Sequence, residues 1–269
     1  MLNLEHIGQG RTSDIFKYED GKVLKLFKPV ATPDSVENEY KNSRYVYSLG
    51  LPIPRPFELV ENNNRVGIVF QYVPGLTMLK VIGQKPWTIC NNSIELARLH
   101  SNIHKESGEG LTRNLKEEVR YSINEASLLS ENEKQIIIKQ LNTFDETNKL
   151  CHGDFHPDNI LLGNKSWIID WMNGMAGDPA GDVARTILLL SIGTMPEGMS
   201  KQEKLISGVL RSIMKRVYIR KYLELSSLHF SQVEQWILPM AAARLAEAIP
   251  VEEKGNLLKL IKSRIVKCQ

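Results

Sequence analysis

Turn-prone residues divide the first 75 residues into short apolar runs, a pattern typical of β-strands. The run 22–27 alternates apolar side chains with lysine and follows the hairpin signal Asp20-Gly21. One longer segment, 35–49, contains neither Gly nor Pro and is followed by Gly50, a common helix stop. The pattern therefore predicts one helix at 35–49 and strands at 4–7, 15–18, 22–27, 57–60 and 66–72.

Helical patterns dominate the chain after Pro74-Gly75, most clearly in 88–104, where apolar residues recur with a helical period. We predict an α+β fold with two lobes. Residues 1–75 are expected to form a small β-rich lobe with its connector, and residues 76–269 a larger, mainly helical lobe. The predicted helices of the second lobe are 88–104, 116–129, 131–148, 182–191, 201–225, 231–248 and 252–267.

Composition narrows the class of protein. The 269 residues suffice for two lobes, and 42% apolar content is ordinary for a globular chain. The net charge of +3 is too small to indicate nucleic acid binding, and the longest apolar run, 187–192, is far shorter than a membrane span. Three scattered cysteines, Cys90, Cys151 and Cys268, favour a reducing compartment. We expect a cytoplasmic protein without a membrane span or a nucleic acid partner.

The most informative segment is 152–159, with the sequence HGDFHPDN. Its Asp154 precedes Asn159 by five positions, and Asp170 follows later at the end of a short apolar stretch, 167–169, that is expected to be a strand. Enzymes of the protein kinase type place a catalytic Asp and two metal-binding residues, Asn and Asp, in this order. The spacing therefore predicts that Asp154 orients an acceptor hydroxyl and that Asn159 and Asp170 offer oxygen ligands to Mg²⁺.

A zinc site is the main alternative for this segment, because His152, Asp154 and His156 are possible ligands. Zinc would leave Asn159 and Asp170 unexplained. Phosphoryl transfer explains all three polar residues, with His152 bracing the catalytic loop.

A second histidine pair, His100 and His104, lies one turn apart near the end of the predicted helix 88–104. Imidazoles in such positions often meet the terminal carbonyl groups of the helix. A metal site is the alternative. We expect the contact with the helix carbonyl groups, which is a structural role.

A glycine turn in the amino-terminal lobe fits the phosphate side of a nucleotide site. Gly8 and Gly10 lie between two predicted strands, where glycine lets backbone N–H groups approach phosphates. Ser13 takes the third place of the fuller G-x-G-x-x-G pattern, so an ordinary hairpin turn explains these residues equally well. The chain has no G-x-x-x-x-G-K-[ST] motif, which argues against a Walker-type nucleotide hydrolase.

Lys25 alternates with apolar residues on a predicted strand, as does the kinase lysine that contacts the α- and β-phosphates. That lysine pairs with a helical Glu, and a solvated strand lysine is the alternative. Glu39 and Glu37 are both available on the predicted helix but point to different faces, so only one can reach Lys25. We expect Glu39 to be the partner.

Three blocks in order resemble the aminoglycoside phosphotransferase and choline-kinase-like family: HGDFHPDN, then IIDW at 168–171, then GDPAGDVA at 177–184. The resemblance covers nearly the whole chain. It implies a protein-kinase-like fold and an ATP- and Mg²⁺-dependent transfer of phosphate to a hydroxyl, usually on a small molecule.

The resemblance also implies roles for individual residues. Asp154 would be the catalytic base, Asn159 and Asp170 would hold magnesium, and Asp182 would support the catalytic loop. Asp182 could equally be the N-cap of the helix that follows it. In the connector, the carbonyl of Gln71 and the N–H of Val73 would bind adenine.

Two other classes remain open from the sequence, a protein kinase and a catalytically inactive nucleotide-binding module. A protein kinase is disfavoured because Trp171 follows Asp170 where Phe-Gly is expected, and no A-P-E follows. An inactive module usually lacks one of the catalytic or metal-binding residues, which are all present. The acceptor, described only as aminoglycoside-, choline- or sugar-like, and the oligomeric state stay open, and the residues considered for acceptor binding are Trp171, Asp178, Trp236 and Glu247.

Overall fold

The computed structural model describes residues 5–62, 64–193 and 200–266. The chain forms two compact units, each built from two stretches of sequence. The first unit contains Met1–Val81 and Pro157–Gly174, and the second contains Ile82–His156 and Met175–Gln269. Leu4 and Cys268 lie outside the described residues.

The main feature of the first unit is an antiparallel sheet of five strands in the order β1-β2-β3-β5-β4. Leu24 and Val69 pack on one face of this sheet, and Phe27 and Ile68 pack on the other face together with Val36 of the helix. The helix begins after the N-cap Thr32, whose side chain accepts a hydrogen bond from Ser35 N. The elements are β1 (His6–Gln9), β2 (Ser13–Lys17), β3 (Lys22–Phe27), α1 (Pro33–Ser48), β4 (Pro56–Asn62) and β5 (Arg65–Gln71).

A small three-stranded sheet completes the first unit and explains why its boundary differs from the predicted one. It contains β6 (Leu76–Thr77), β8 (Ile160–Leu162) and β9 (Ser166–Ile168), in the order β6-β8-β9. A Cβ atom at Gly75 would collide with the carbonyl oxygen of Leu162, so glycine permits this close approach. The pairing of β6 with β8 joins 157–174 to the amino-terminal unit, whereas the sequence pattern divided the chain once, after residue 75.

The second unit is mainly helical. Helix α3 packs against α7 and helix α6 against α8, around buried side chains such as Leu96, Ile103 and Trp236. A two-stranded antiparallel ribbon of β7 and β10 lies within this unit. Its elements are α3 (Ile89–Ile103), α4 (Leu115–Glu125), α5 (Glu131–Asn142), β7 (Lys149–Cys151), β10 (Met175–Gly177), α6 (Pro179–Ile192), α7 (Lys201–Leu225), α8 (Phe230–Arg244) and α9 (Val251–Ile265).

The predicted fold class, a β-rich amino-terminal region followed by a helical part, is confirmed. Several helix ends differ from the prediction: α5 ends at Asn142 rather than at residue 148, with Thr143 as its C-cap. The helix α2 (Met78–Gln84) was not predicted, since seven residues are too few to show a helical repeat. In the part of the chain that the structure covers, no helix is long and apolar enough to cross a membrane.

Candidate active site

In the first unit, two predicted site residues contact the ammonium group of a third. Lys25 lies on β3, and its Nζ is 2.6 Å from Glu39 Oε1 on α1 and 3.0 Å from Asp170 Oδ1. Lys25 and Glu39 are buried. Glu37, the rival partner, forms its ion pair with Lys41 instead, at 2.9 Å. Residues that are 14 and 145 positions apart in sequence therefore meet at one charged centre.

The charges at this centre favour a permanently protonated lysine. Burial acts to lower the pKa of Lys25, but the carboxylates of Asp170 and Glu39 outweigh it and hold the pKa above its ordinary value. Burial raises the pKa of Glu39 to about 7 despite the neighbouring lysine. Glu39 Oε2 is buried without a hydrogen-bond partner among the residues described. The ammonium group is thus held by one buried carboxylate and presented beside a second, more exposed one.

Asp170 has an unusual backbone conformation for a residue other than glycine. Its φ of 67° and ψ of 65° are left-handed, a region in which Asp is among the tolerated residues. The preceding residue, Ile169, donates its N–H to the carbonyl of Asn159 at 3.0 Å, which ties the two predicted metal ligands together through the backbone. Asn42 of α1 donates to the carbonyls of Trp171 and Gly174, both at 3.0 Å, and holds the turn after Asp170. Asn42 was missed from the sequence because a polar residue on a helix is ordinarily exposed.

The predicted glycine turn forms, with Gly8 inside β1 and Gly10 at the turn. Gly10 N donates to the carbonyl of the buried Ser13 at 2.8 Å, and Lys28 Nζ donates to the carbonyl of Gly10 at 2.8 Å. The Gly10 N–H is therefore engaged within the hairpin. A phosphate-binding role for the turn stays a prediction.

The connector residues follow β5. Gln71 ends that strand, and its backbone N–H donates to the carbonyl of Arg55 at 2.8 Å. Tyr72 N donates to Gly21 O at 2.8 Å, which fixes the chain immediately before Val73. Val73 itself is nearly buried. The backbone is ordered by these bonds, and its predicted contacts with adenine stay a prediction.

In the second unit, the loop that carries Asp154 is wrapped around the carboxylate of Asp182. Asp182 Oδ2 accepts from His152 N at 2.6 Å, and Oδ1 accepts from Gly153 N at 3.0 Å. Asp154 N in turn donates to His152 Nδ1 at 3.3 Å. Gly153 has a φ of 75°, which this tight loop requires and which glycine adopts without strain.

The N-cap prediction for Asp182 is wrong. An N-cap at Asp182 would start the helix at residue 183, but α6 begins four residues earlier, at Pro179. Its N-cap is Asp178, whose side chain accepts a hydrogen bond from Ala180 N at 2.8 Å. Asp182 lies inside the first turn of α6, which leaves both carboxylate oxygens free to bind the loop.

Asp154 lies between two basic side chains of its own unit. Arg185 Nη2 is 3.5 Å from Asp154 Oδ1, and His156 Nε2 is 3.5 Å from Oδ2. Glu247 Oε1 holds the other side of the Arg185 guanidinium at 2.6 Å. Burial acts to raise the pKa of Asp154, but His156 and Arg185 outweigh it and keep the pKa below its ordinary value. Asp154 is therefore an ionised carboxylate that can accept a hydrogen bond.

Arg185 was not predicted as a site residue, although it follows Asp182 by three positions and so shares a face of α6 with it. Of the residues considered for acceptor binding, Glu247 is linked to Asp154 through Arg185. Trp236 Nε1 donates to Asp178 Oδ2 at 3.0 Å, which gives this pair a structural role at the start of α6. Trp171 is buried.

The sequence predicted that His100 and His104 contact the carbonyl groups at the helix end. The structure places them against Asp182 instead. Their Nε2 atoms lie 3.1 and 3.2 Å from the same oxygen, Asp182 Oδ2. Together the three residues form the one cluster of possible metal ligands found among the described residues. The alternative zinc set of His152, Asp154 and His156 is not such a cluster.

Because His100 is buried, we predict that the free energy of unfolding falls in mild acid. Burial lowers the pKa of His100 to about 3, so the folded protein leaves it neutral while the unfolded chain takes up a proton below about pH 6.5. Between pH 6.5 and 5 the free energy of unfolding should fall because of His100 by up to about 1.4 kcal/mol per pH unit. The raised pKa of Glu39 changes the free energy of unfolding in the opposite direction over this pH range. The pH dependence of urea unfolding should therefore be compared between the wild type and His100→Gln. An equal pH slope in the two proteins would contradict the prediction.

The sequence matches the model of the phosphotransferase enzyme family over residues 3–208, which is most of the chain. The chain belongs to this family. The resemblance stated from the sequence is thereby confirmed.

Relatives with similar sequences include human acyl-CoA dehydrogenase family member 11, which is 27% identical over 211 residues, or 64% of this chain and 26% of the human protein. Mouse acyl-CoA dehydrogenase family member 10 is 23% identical over 215 residues, 70% of this chain and 20% of the mouse protein. The chain thus spans about a quarter or less of the length of these relatives.

Solved structures show the same fold. A thermostable mutant of aminoglycoside phosphotransferase APH(4)-Ia, in a ternary complex with ADP and hygromycin B, matches with a TM-score of 0.66 and 16% identity over 99% of this chain and 93% of that one. The ADP-bound aminoglycoside phosphotransferase APH(2'')-Ib matches with a TM-score of 0.60 and 17% identity, also over 99% and 93%. The kinase-like fold expected from the sequence is confirmed.

Proposed function

We propose that this phosphotransferase moves the γ-phosphoryl group of ATP, with Mg²⁺, to a hydroxyl of a small molecule. The observation that carries the proposal is the placement of Lys25 Nζ at 2.6 Å from Glu39 and 3.0 Å from Asp170. Kinases need this lysine–glutamate pair together with a metal-binding aspartate. The neighbours that bind ADP in their solved structures are consistent with a nucleotide substrate.

The residues of the first unit are suited to the nucleotide and its metal. Asp170 and Asn159 offer carboxylate and amide oxygens, the hard ligands that Mg²⁺ prefers, and Mg²⁺ would neutralise charge on the phosphates. Lys25 would contact the α- and β-phosphates. The nucleotide would also use the turn with Gly8, Gly10 and Ser13, and the connector backbone at Gln71 and Val73.

Asp154 would receive the hydrogen bond of the acceptor hydroxyl and later its proton. The flanking Arg185 and His156 favour an ionised Asp154, which makes it a good hydrogen-bond acceptor but a weak base. A weak base suits phosphoryl transfer, because in a loose transition state the hydroxyl loses its proton late. Asp154 would therefore contribute chiefly by orienting the hydroxyl.

The charges around Asp154 leave the acceptor open. Arg185 is ion-paired to both Asp154 and Glu247, so its positive charge is already balanced and does not select against a cationic acceptor. A screen should contain sugars, nucleosides, amino alcohols and aminoglycosides, and also a hydroxyacyl thioester, because the relatives are named for acyl-CoA chemistry. A cytoplasmic location stays a prediction.

Nucleotide binding should stabilise the protein only when Mg²⁺ is present. At a nucleotide concentration of 100 times Kd, the expected gain is about 2.7 kcal/mol, seen as a rise in Tm. Asp170→Asn should abolish the Mg²⁺-dependent part of the rise. Asp158→Asn makes the same chemical change at an exposed position nearby and should retain it.

Thermal shift with ATP, ADP and GTP, with and without Mg²⁺, measures this effect. A Tm that no nucleotide changes would refute the proposed function. An equal Mg²⁺-dependent rise in Asp170→Asn and the wild type would refute the role of Asp170.

A further inference from the structure

We infer that His100, His104, Tyr218 and Tyr222 are positioning residues, which fix the carboxylate of Asp182 and through it the loop that carries Asp154. The part of this inference that concerns turnover rests on the proposed function. The network itself is a property of the second unit alone.

The geometry forms two parallel chains of hydrogen bonds that end on one oxygen. Tyr218 OH is 2.6 Å from His100 Nδ1, and Tyr222 OH is 2.6 Å from His104 Nδ1. The opposite ring nitrogens, both Nε2, lie 3.1 and 3.2 Å from Asp182 Oδ2. All five side chains are buried, so water does not compete for these bonds.

The directions of the bonds follow from chemistry. An ionised carboxylate only accepts hydrogen bonds, so both Nε2 atoms must carry a proton. A neutral imidazole then has a bare Nδ1, which accepts a hydrogen bond from its tyrosine hydroxyl. The tyrosines therefore select the Nε2–H tautomer of each histidine, and this tautomer supplies two of the donors that Asp182 needs.

The donors matter because, among the residues that the structure describes, the ion-pair partners of this buried carboxylate are the two histidines and include no lysine or arginine. Asp182 Oδ2 accepts from two imidazoles and from His152 N, and Oδ1 accepts from Gly153 N. A buried charge without such donors would be costly, and the carboxylate would rotate or take up a proton. Either change would release the backbone N–H groups of the loop immediately before Asp154.

His100 also contacts the loop directly. Its ring stacks on Phe155, with ring centroids 4.1 Å apart and an interplanar angle of 20°. The carbonyl of Phe155 accepts from Thr186 Oγ1 at 2.9 Å. Asp154 is thus fixed on both sides, through Asp182 before it and through Phe155 after it.

A metal ion bound by His100, His104 and Asp182 is the competing interpretation. A metal bound to both Nε2 atoms would leave the protons on the Nδ1 atoms. Each Nδ1–H would then donate a hydrogen bond to its tyrosine oxygen. Hydrogen bonding predicts protons on Nε2 and no metal. The position of the proton therefore separates the two.

The first experiment is ¹⁵N NMR of histidine-labelled protein together with its metal content. We expect two neutral imidazoles with protons on Nε2 at pH 7 and no stoichiometric metal. Protons on Nδ1, or one bound zinc per chain, would overturn the inference. This measurement does not depend on turnover, so it decides the network even if the protein transfers no phosphate and the proposed function fails.

The second experiment compares Tyr218→Phe, Tyr222→Phe and the double variant with Tyr121→Phe, a control at an exposed tyrosine. The first three should lower kcat, by about 10- to 100-fold in the double variant, while the KM for ATP changes less than about twofold. The control should match the wild type. An unchanged kcat in the folded double variant, or equal losses in kcat and ATP affinity, would overturn the positioning role.

The third comparison tests the donated proton itself. His104→Gln can place an amide N–H near the position of Nε2, whereas His104→Met cannot. We expect Gln to retain at least about ten times more kcat than Met. Equal activity in the two folded variants would contradict the role of the donor. If both fail to fold, the tyrosine variants still decide the question.

Discussion

Asp154→Asn is expected to lower kcat by about 10²- to 10⁴-fold and to leave the affinity for ATP nearly unchanged. Asn keeps the size of the side chain but has no negative charge, so it would hold and orient the acceptor hydroxyl less strongly and could not take up its proton. Asp154 lies in the second unit and is not among the residues assigned to the nucleotide. Single-turnover transfer and nucleotide titration of the same preparations measure the two quantities separately.

Asp158→Asn is the matched control for this substitution, because it changes the same residue type four positions later at an exposed site. It should keep kcat within about a factor of three. A variant at Asp154 that retains full turnover would show that the residue is not the base. A loss confined to ATP affinity would show that its role concerns the nucleotide.

Asp182→Asn is expected to have the largest effect on folding. The amide would place an N–H group against donors that now point at a carboxylate, namely two imidazoles and the backbone of His152 and Gly153. Disruption of a buried network of this kind costs about 3–5 kcal/mol. The loop that carries Asp154 would lose its anchor, so turnover should fall as well.

Urea unfolding of Asp182→Asn beside Asp34→Asn tests this prediction. Asp34 is exposed in the first turn of α1, so the same chemical change there disturbs no buried network. We expect a loss below about 1 kcal/mol for the control. Equal unfolding midpoints for the two variants would contradict the assignment of Asp182 as the anchor of the loop.

Short-range spacing is the basis of the prediction for the site residues that one segment carries. Asp154 and Asn159 occur in one motif, and Asp170 ends the strand that follows, so their order alone indicated the chemistry. The choice of Glu39 over Glu37 depended on the face of a single helix, and the structure places Glu39 on Lys25.

Long-range contacts were beyond the sequence patterns. His100 and Asp182 are 82 positions apart, and His100 and Tyr218 are 118 apart, so nothing local indicates that they share a network. The histidines were assigned to helix carbonyls because that contact is local. Arg185 was missed for the same reason, since its position beside Asp154 depends on how α6 packs under the loop.

The most direct test of the central claim is transfer of the labelled γ-phosphate from ATP to a small-molecule hydroxyl. The wild-type protein, incubated with Mg²⁺ and the acceptor panel, should form a labelled phosphomonoester with at least one acceptor, and Asp154→Asn should form almost none. Labelled product at equal rates from both proteins, or ATP binding without transfer to any member of the panel, would contradict the account.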